Sequence, residues 1–138
     1  MSTLSVRDIM TPGPQAVRED DDLARVYDLM TSGNFRHLPV VDDDGELVGL
    51  LTQRDLLKGA LGQALELPVS VQREMLRQVL VREIMIHDPE TAEPDQPAAE
   101  AGELLMAHKM GCLPVVEGTT LVGILTEADY VRHLVATA

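Results

Sequence analysis

The sequence predicts an α+β chain of the α/β type: two pseudo-twofold-related β-α-β-β-α repeats packed into one module. Three observations predict it. Val6-Arg7-Asp8-Ile9-Met10 returns as Val81-Arg82-Glu83-Ile84-Met85, and Leu38-Pro39-Val40-Val41 as Leu113-Pro114-Val115-Val116, both 75 residues on. Leu47-Val48-Gly49-Leu50-Leu51-Thr52 returns as Leu121-Val122-Gly123-Ile124-Leu125-Thr126 at offset 74, one residue having been lost in a turn, where deletions are cheap. With that single gap, 18 of 49 aligned positions are identical, too many for coincidence among apolar runs, so the chain holds two copies of one unit. A unit of about 50 residues buries too little surface to stand alone. The copies are therefore expected to pack sheet against sheet over a shared core.

Each element can be justified in order. Gln15-Ala16-Val17 is a short extended run. Asp20 to Asp22 supply carboxylates for a helix start. Leu23, Val26, Tyr27 and Met30 then form one apolar stripe at helical spacing. Gly33-Asn34 tolerate the left-handed conformation that ends a helix. Leu38 to Val41 and Leu47 to Leu51 are strands joined by the turn Asp42-Asp43-Asp44-Gly45, and their near-continuous apolar character implies cover on both faces. A helix is expected from Thr52 to about Gly59. In the second copy, Asp95 is the expected cap, with Pro97 in the first turn and Ala98, Ala101, Leu104, Leu105 and Ala107 facing inward. Gly111 ends that helix, a hairpin covers 112–126, and a last helix runs to the C-terminus. The boundaries are thus 6–58 for the first repeat, 59–80 for a helical connector and 81–135 for the second repeat. In the connector, Ser70 is the expected cap of a helix carrying Val71, Met75 and Val79 on one side.

Composition removes several functions. The 138 residues carry 23 acids and 11 bases, a net charge of -12, shared equally at -6 on either side of Val69. A surface so acidic, with no basic arm, does not suit the clustered phosphate contacts of nucleic-acid binding. No run approaches the ~18 apolar residues of a membrane span, and the first residues lack an apolar signal core, so a cytoplasmic protein is expected. One cysteine, Cys112, leaves no internal disulfide or multi-cysteine zinc site. His37, His87, His108 and His133 lack the spacing of metal ligands, and Asp42 to Gly45 lacks the full ligand series of a calcium loop. No nucleophile, base and orienting group cluster, so neither catalysis nor a metal is expected.

The chemistry-bearing motif is Thr-x-x-Asp, at Thr52/Asp55 and Thr126/Asp129. Its spacing is that of a capping box, in which the hydroxyl and the carboxylate satisfy free N–H groups at a helix start. The same geometry suits a sugar-phosphate, since a helix start favours anions and a carboxylate accepts from a ribose diol. Both roles can coexist. The copies differ in charge: Arg36, His37, Arg54 and Lys58 surround the first motif, whereas Gly111, Cys112, Ala128 and Val131 stand near the second. With two Tyr, one Phe and no Trp, a base here would be gripped by aliphatic walls and backbone.

Taken together, the twice-repeated Val-Arg-(Asp/Glu)-Ile-Met, Leu-Pro-Val-Val and Leu-Val-Gly-(Leu/Ile)-Leu-Thr-x-x-Asp blocks resemble a tandem pair of CBS domains, the Bateman module, here as a stand-alone CBS-domain protein. The resemblance implies a non-catalytic regulatory module that binds an adenosine-containing ligand (AMP, ADP, ATP or S-adenosylmethionine) in clefts between the repeats and transmits this to a partner protein. It implies a homodimer, no required cofactor, and an adenine nucleotide as regulatory ligand. Carried over residue by residue, a first site takes Arg36, His37, Thr52, Arg54 and Asp55 for the sugar-phosphate, with Thr91, Ala92, Leu113, Pro114 and Val115 about the adenine. A second site takes Thr126 and Asp129 with Ala16, Val17, Leu38, Pro39 and Val40. The charges make the first the better nucleotide site, leaving the second empty or fit for an uncharged adenosyl group. The alternative is a dimeric assembly module with degenerate, ligand-free clefts.

Overall fold

The computed structural model describes residues 4–56, 66–108 and 111–138. In chain order these form α1 (Val6–Ile9), β1 (Thr11–Pro12), β2 (Val17–Arg18), α2 (Leu23–Gly33), β3 (His37–Val41), β4 (Leu47–Thr52), α3 (Gln53–Asp55), α4 (Val69–Arg77), α5 (Val81–Ile84), β5 (Ile86–His87), α6 (Ala98–His108), β6 (Cys112–Glu117), β7 (Thr120–Thr126) and α7 (Glu127–Thr137). The mixed architecture and the two repeats agree with the predicted fold class. The expected helix from Thr52 is present through Asp55, and its continuation to Gly59 lies outside the described residues.

The chain forms two compact units that do not coincide with the sequence repeats. One holds Gln15–Asp88, and the other joins the residues up to Pro14 to Pro89–Ala138. The reason is a pair of two-residue strands. β1 pairs antiparallel with β7, Thr11 opposite Ile124 and Pro12 opposite Gly123. β5 pairs with β4 in the equivalent register, Gly49 opposite His87 and Leu50 opposite Ile86. The segment leading into each repeat is thus built into the other repeat's sheet. Two residues carry no periodicity, so nothing in the sequence signals this exchange.

The unit Gln15–Asp88 is built on the sheet β2-β3-β4-β5, with β2 parallel to β3. Val17, Leu23, Val26, Leu38, Val40, Leu51 and Val81 are fully or almost fully buried in its core, each large aliphatic side chain contributing about 1.5–3 kcal/mol of transfer free energy. Asp22 caps α2, its carboxylate accepting from the Arg25 N–H at 3.0 Å, and Asn34 closes it at φ 56°. Tyr27, expected in the inward stripe, is 39% exposed, and Ala24 is buried instead.

The unit containing the C-terminus has the sheet β1-β7-β6, with a core of Val6, Ala101, Leu113, Val115 and Leu125. The repeated Val-Arg-(Asp/Glu)-Ile-Met block is explained twice over by one device. Asp8 accepts from the Ser5 N–H at 2.9 Å, and Glu83 accepts from the Leu80 N–H at 2.6 Å, so an acid at the third helical position caps each one-turn helix. The Ser5 backbone and hydroxyl bonds hold the Asp8 carboxyl below the ordinary carboxylate range. The valine and the isoleucine then enter the core, except that Ile84 stays half-buried.

Several expectations about elements are corrected. Asp95 does not cap α6: it pairs with Arg7 at 2.6 Å, and the Pro97 carbonyl opens the helix by accepting from Ala101. Ala107 is exposed, because a helix one face deep cannot bury it with Leu105. Ser70 is not the cap of α4, since the helix starts at Val69 with Pro68 at the cap position, two residues earlier. On α4, Val71 and Met75 are both 42% exposed, and Leu76 is the residue that enters the core. A forked pair from Arg73 to both oxygens of Asp28, at 2.9 and 2.6 Å, holds α4 against α2. Among the described residues, no helix is long and apolar enough to cross a membrane.

Candidate ligand-binding site

The hairpins place the predicted residues. In the first repeat, the antiparallel register puts His37 opposite Thr52, and the Arg36 carbonyl accepts from the Gln53 N–H at 2.8 Å. Arg36 and His37 therefore flank the helix start that carries Thr52 and Asp55. The Asp55 N–H donates to the Thr52 hydroxyl oxygen at 3.1 Å, and that hydroxyl donates to Asp55 Oδ2 at 2.7 Å. Capping and side-chain order are both satisfied. Asp55 Oδ1 receives no hydrogen bond from the described residues. Asp55 and Thr52 are half-buried, and Arg36 and Arg54 are exposed. Neither arginine has an ion-pair partner among the described residues. Lys58 lies outside those residues.

The second motif is built differently. Thr126 N–H donates to Asp129 Oδ2 at 2.8 Å, the reverse arm of the box. The Thr11 hydroxyl, from β1, donates to Asp129 Oδ1 at 2.9 Å. The Arg132 guanidinium donates to the same oxygen. Asp129 is buried in consequence, its side chain 1% exposed against 65% for Arg132. Tyr130, beside it, donates from its hydroxyl to the Ala98 carbonyl at 2.6 Å. Burial, and secondarily the Asp129 charge, raise that phenol above its ordinary value.

The apolar residues fall into two matching slots, one in each unit. Ala92 bridges parallel to Val115, its N–H donating to the Pro114 carbonyl at 3.0 Å while its carbonyl accepts from Val116 at 2.9 Å. Thr91 is half-buried beside Leu113, Pro114 and Val115, all buried. In the other unit Val17 pairs with Val40 in the same parallel sense, with Ala16 half-buried and Leu38 and Pro39 buried. The structure so brings together Arg36, His37, Thr52, Arg54 and Asp55 in one unit. It groups Thr91, Ala92, Leu113, Pro114 and Val115 in the other, where Thr126 and Asp129 also stand. Two surface grooves, one of about 390 Å³ between α2 and α4 beside Arg73, the other beside Arg18 and Asp43, include none of these residues.

Two residues at the second motif escape sequence reasoning. Arg132 stands 74 residues after Lys58, so the repeat offset itself predicts a cation there. Reading Ala128 and Val131 as its neighbours overlooks that. Thr11 is 118 residues from Asp129 and reaches it only through the β1–β7 pairing. Among the described residues no three His, Cys, Asp or Glu side chains group to hold a metal. Cys112 is buried at the start of β6, and burial pushes its thiol up to about 12, which leaves it protonated and inert at neutral pH.

The chain is similar to known proteins along nearly its whole length. The chain is 31% identical over 93% of its length to a homoserine O-acetyltransferase of Methanococcoides burtonii, of which it spans about a quarter (24%). It superimposes on CBSX2 in complex with AMP with a TM-score of 0.81 and 29% identity, covering 96% of this chain and 97% of that one. It also superimposes on the CBS domain pair of protein MJ0100, in complex with 5'-methylthioadenosine and S-adenosyl-L-methionine, with a TM-score of 0.82 and 26% identity, covering 99% and 100%. The CBS domain profile matches twice, at residues 6–62 and 81–136. By its twofold repeat, its two hairpin units and these matches, the chain belongs to the CBS domain family, as a pair of CBS domains.

Proposed function

We propose that the chain is a non-catalytic regulatory module that binds an adenosine-containing ligand, AMP, ADP, ATP or S-adenosylmethionine, and passes its bound state to a partner protein. The observation that carries this reading is the Thr52–Asp55 pair. One carboxylate oxygen is engaged by Thr52, the other is unengaged by the described residues, and Arg36 and His37 flank the helix start. A carboxylate in that state accepts from both hydroxyls of a ribose, and Arg36, His37 and Arg54 supply charge for a phosphate. Ala92 with Leu113, Pro114 and Val115 offers an aliphatic wall for an adenine ring. Thr126 and Asp129, with Ala16, Val17, Leu38, Pro39 and Val40, are the corresponding second set. The complexes of CBSX2 with AMP and of MJ0100 with 5'-methylthioadenosine and S-adenosyl-L-methionine support the ligand class. The ligand acts by differential affinity for two arrangements of the module, which a partner reads. The working form is a cytoplasmic homodimer.

Calorimetric titration with AMP, ATP and S-adenosylmethionine tests this. Binding is expected, weakened in Asp55→Ala for all three and in Arg36→Ala most for the phosphates. At a hundredfold excess over Kd the ligand raises stability by about 2.7 kcal/mol, visible as a higher Tm. Heat and Tm both unchanged at millimolar ligand overturn the reading. That outcome favours an assembly module instead, for which α7 supplies an exposed apolar row of Val131, Leu134 and Val135.

A further inference from the structure

Among the described residues Asp129 is the only buried charged side chain. Its Oδ2 faces Thr126, and its Oδ1 is taken by the Thr11 hydroxyl at 2.9 Å and by Arg132. Arg132 Nη2 also lies 3.4 Å from the Thr11 hydroxyl, so one guanidinium spans both groups. The counterpart carboxylate, Asp55, is not built this way. It is half-buried, and the residue 75 after Thr11 is Ile86, which has no hydroxyl to offer. Among the described residues the two motifs are thus alike in sequence and unlike in what occupies them.

That occupancy sets a chemical condition. A ribose diol at Asp129 needs Oδ1, so Arg132 must leave it. A nearly enclosed carboxylate stripped of its cation is costly, and the released guanidinium seeks another anion. A ligand carrying both hydroxyls and a phosphate meets both needs, because the hydroxyls replace the guanidinium bonds and the phosphate receives the guanidinium. An uncharged nucleoside meets only the first. Arg132 is free to move, being 65% exposed, whereas Thr11 and Thr126 hold the carboxylate in place.

We infer that Arg132 is the specificity-determining residue of the Asp129 site: it is the carboxylate's counter-ion in the free protein and selects phosphorylated over uncharged nucleosides when a ligand displaces it. This rests on the adenosine-binding reading above, and it reverses the expectation that the second site suits an uncharged adenosyl group.

The test uses Asp55→Ala, which confines binding to the Asp129 site, with AMP and adenosine as calorimetric probes. In that background AMP is expected to bind at least about tenfold more tightly than adenosine, the size of one charge-assisted hydrogen bond. Adding Arg132→Ala is expected to lower AMP affinity by about the same factor while adenosine affinity holds or rises, so that the ratio collapses. Adding Arg132→Lys should keep part of the ratio. An Arg132→Ala variant that loses both ligands equally, or that keeps the ratio, overturns the inference, since a merely structural ion pair predicts either. A wild-type chain that binds AMP while Asp55→Ala binds neither probe also overturns it, and leaves the Asp55 site standing. A wild-type chain that binds no adenosine ligand overturns both readings.

Discussion

Replacing Gly49 by alanine puts the exchanged strand to the test. A Cβ at this position would stand 2.5 Å from Met85 Sδ, 3.0 Å from Met85 Cγ and 3.0 Å from the Ile86 carbonyl oxygen. The sulfur could swing aside in open space, but Met85 is 7% exposed and packed in the core. The carbonyl belongs to β5, whose pairing with β4 fixes its distance. Either the methionine leaves its rotamer or β5 shifts, an overpacking cost of about 1–3 kcal/mol. Urea unfolding followed by circular dichroism measures it directly. Gly123→Ala is the internal replicate, because its Cβ would meet Met10 Sδ at 2.7 Å and the Thr11 carbonyl at 3.1 Å. Gly45→Ala is the contrast: its φ of +80° costs about 1–2 kcal/mol in backbone strain with nothing within 4 Å. The decisive measurement is a double-mutant cycle with Met85→Ala. That substitution alone leaves a cavity costing about 2–5 kcal/mol, and it removes the Met85 part of the clash at 49, leaving only the Ile86 carbonyl at 3.0 Å. The pair should be less destabilised than the sum by more than about 0.5 kcal/mol, whereas distant sites add. Additive losses at Gly49 and Met85, or a Gly49→Ala variant as stable as wild type, would refute the seating of β5 on β4.

Two further outcomes follow from burial. Leu76→Ala should cost about 2 kcal/mol or more, since Leu76 is the one buried side chain of α4. Hydrogen exchange should quicken along α4 while the β3–β4 amides stay protected, and uniform exchange across both would contradict it. For Cys112, the folded thiol titrates at about 12 against 9.0 in the open chain. Its contribution is complete below pH 9 and is lost as pH rises toward 12, about 4 kcal/mol in full at ~1.4 per unit. Urea midpoints from pH 8 to 10.5 should fall more steeply for wild type than for Cys112→Ala, and parallel slopes would refute it.

How far the sequence could be read depended on the range of the signal. The hairpins are legible because repeated apolar tetrapeptides and a Gly-containing turn are local. Asn34 and Asp22 are legible because caps are decided within a few residues. The partners of Asp129 divide on the same line. Arg132 is legible, three residues away and at the repeat offset from Lys58, while Thr11 depends on the β1–β7 register. Asp95 looked like a cap for its spacing, yet Arg7, 88 positions earlier, claims it. The connector misled for another reason: an apolar stripe of Val71 and Met75 says that a face is apolar, not that it is covered. Thr52, Asp55 and their arginines came through the repeat and the family resemblance. Their half-buried and exposed states, which decide whether a ligand meets an occupied or an open carboxylate, came only from packing.

The exchanged strands also order events during synthesis. Gln15–Asp88 is one uninterrupted stretch with its own sheet and core, and it can fold as soon as it leaves the ribosome. The other unit is split in sequence around it. Thr11 and Pro12 precede that stretch and have no sheet to join until Thr120–Thr126 has been made. Their unit therefore closes a long loop late, at an entropic cost that grows only slowly with length. In a nascent chain the unit Gln15–Asp88 is sealed early, and the Thr11 hydroxyl completes the Asp129 site only after β7 and Asp129 have been made.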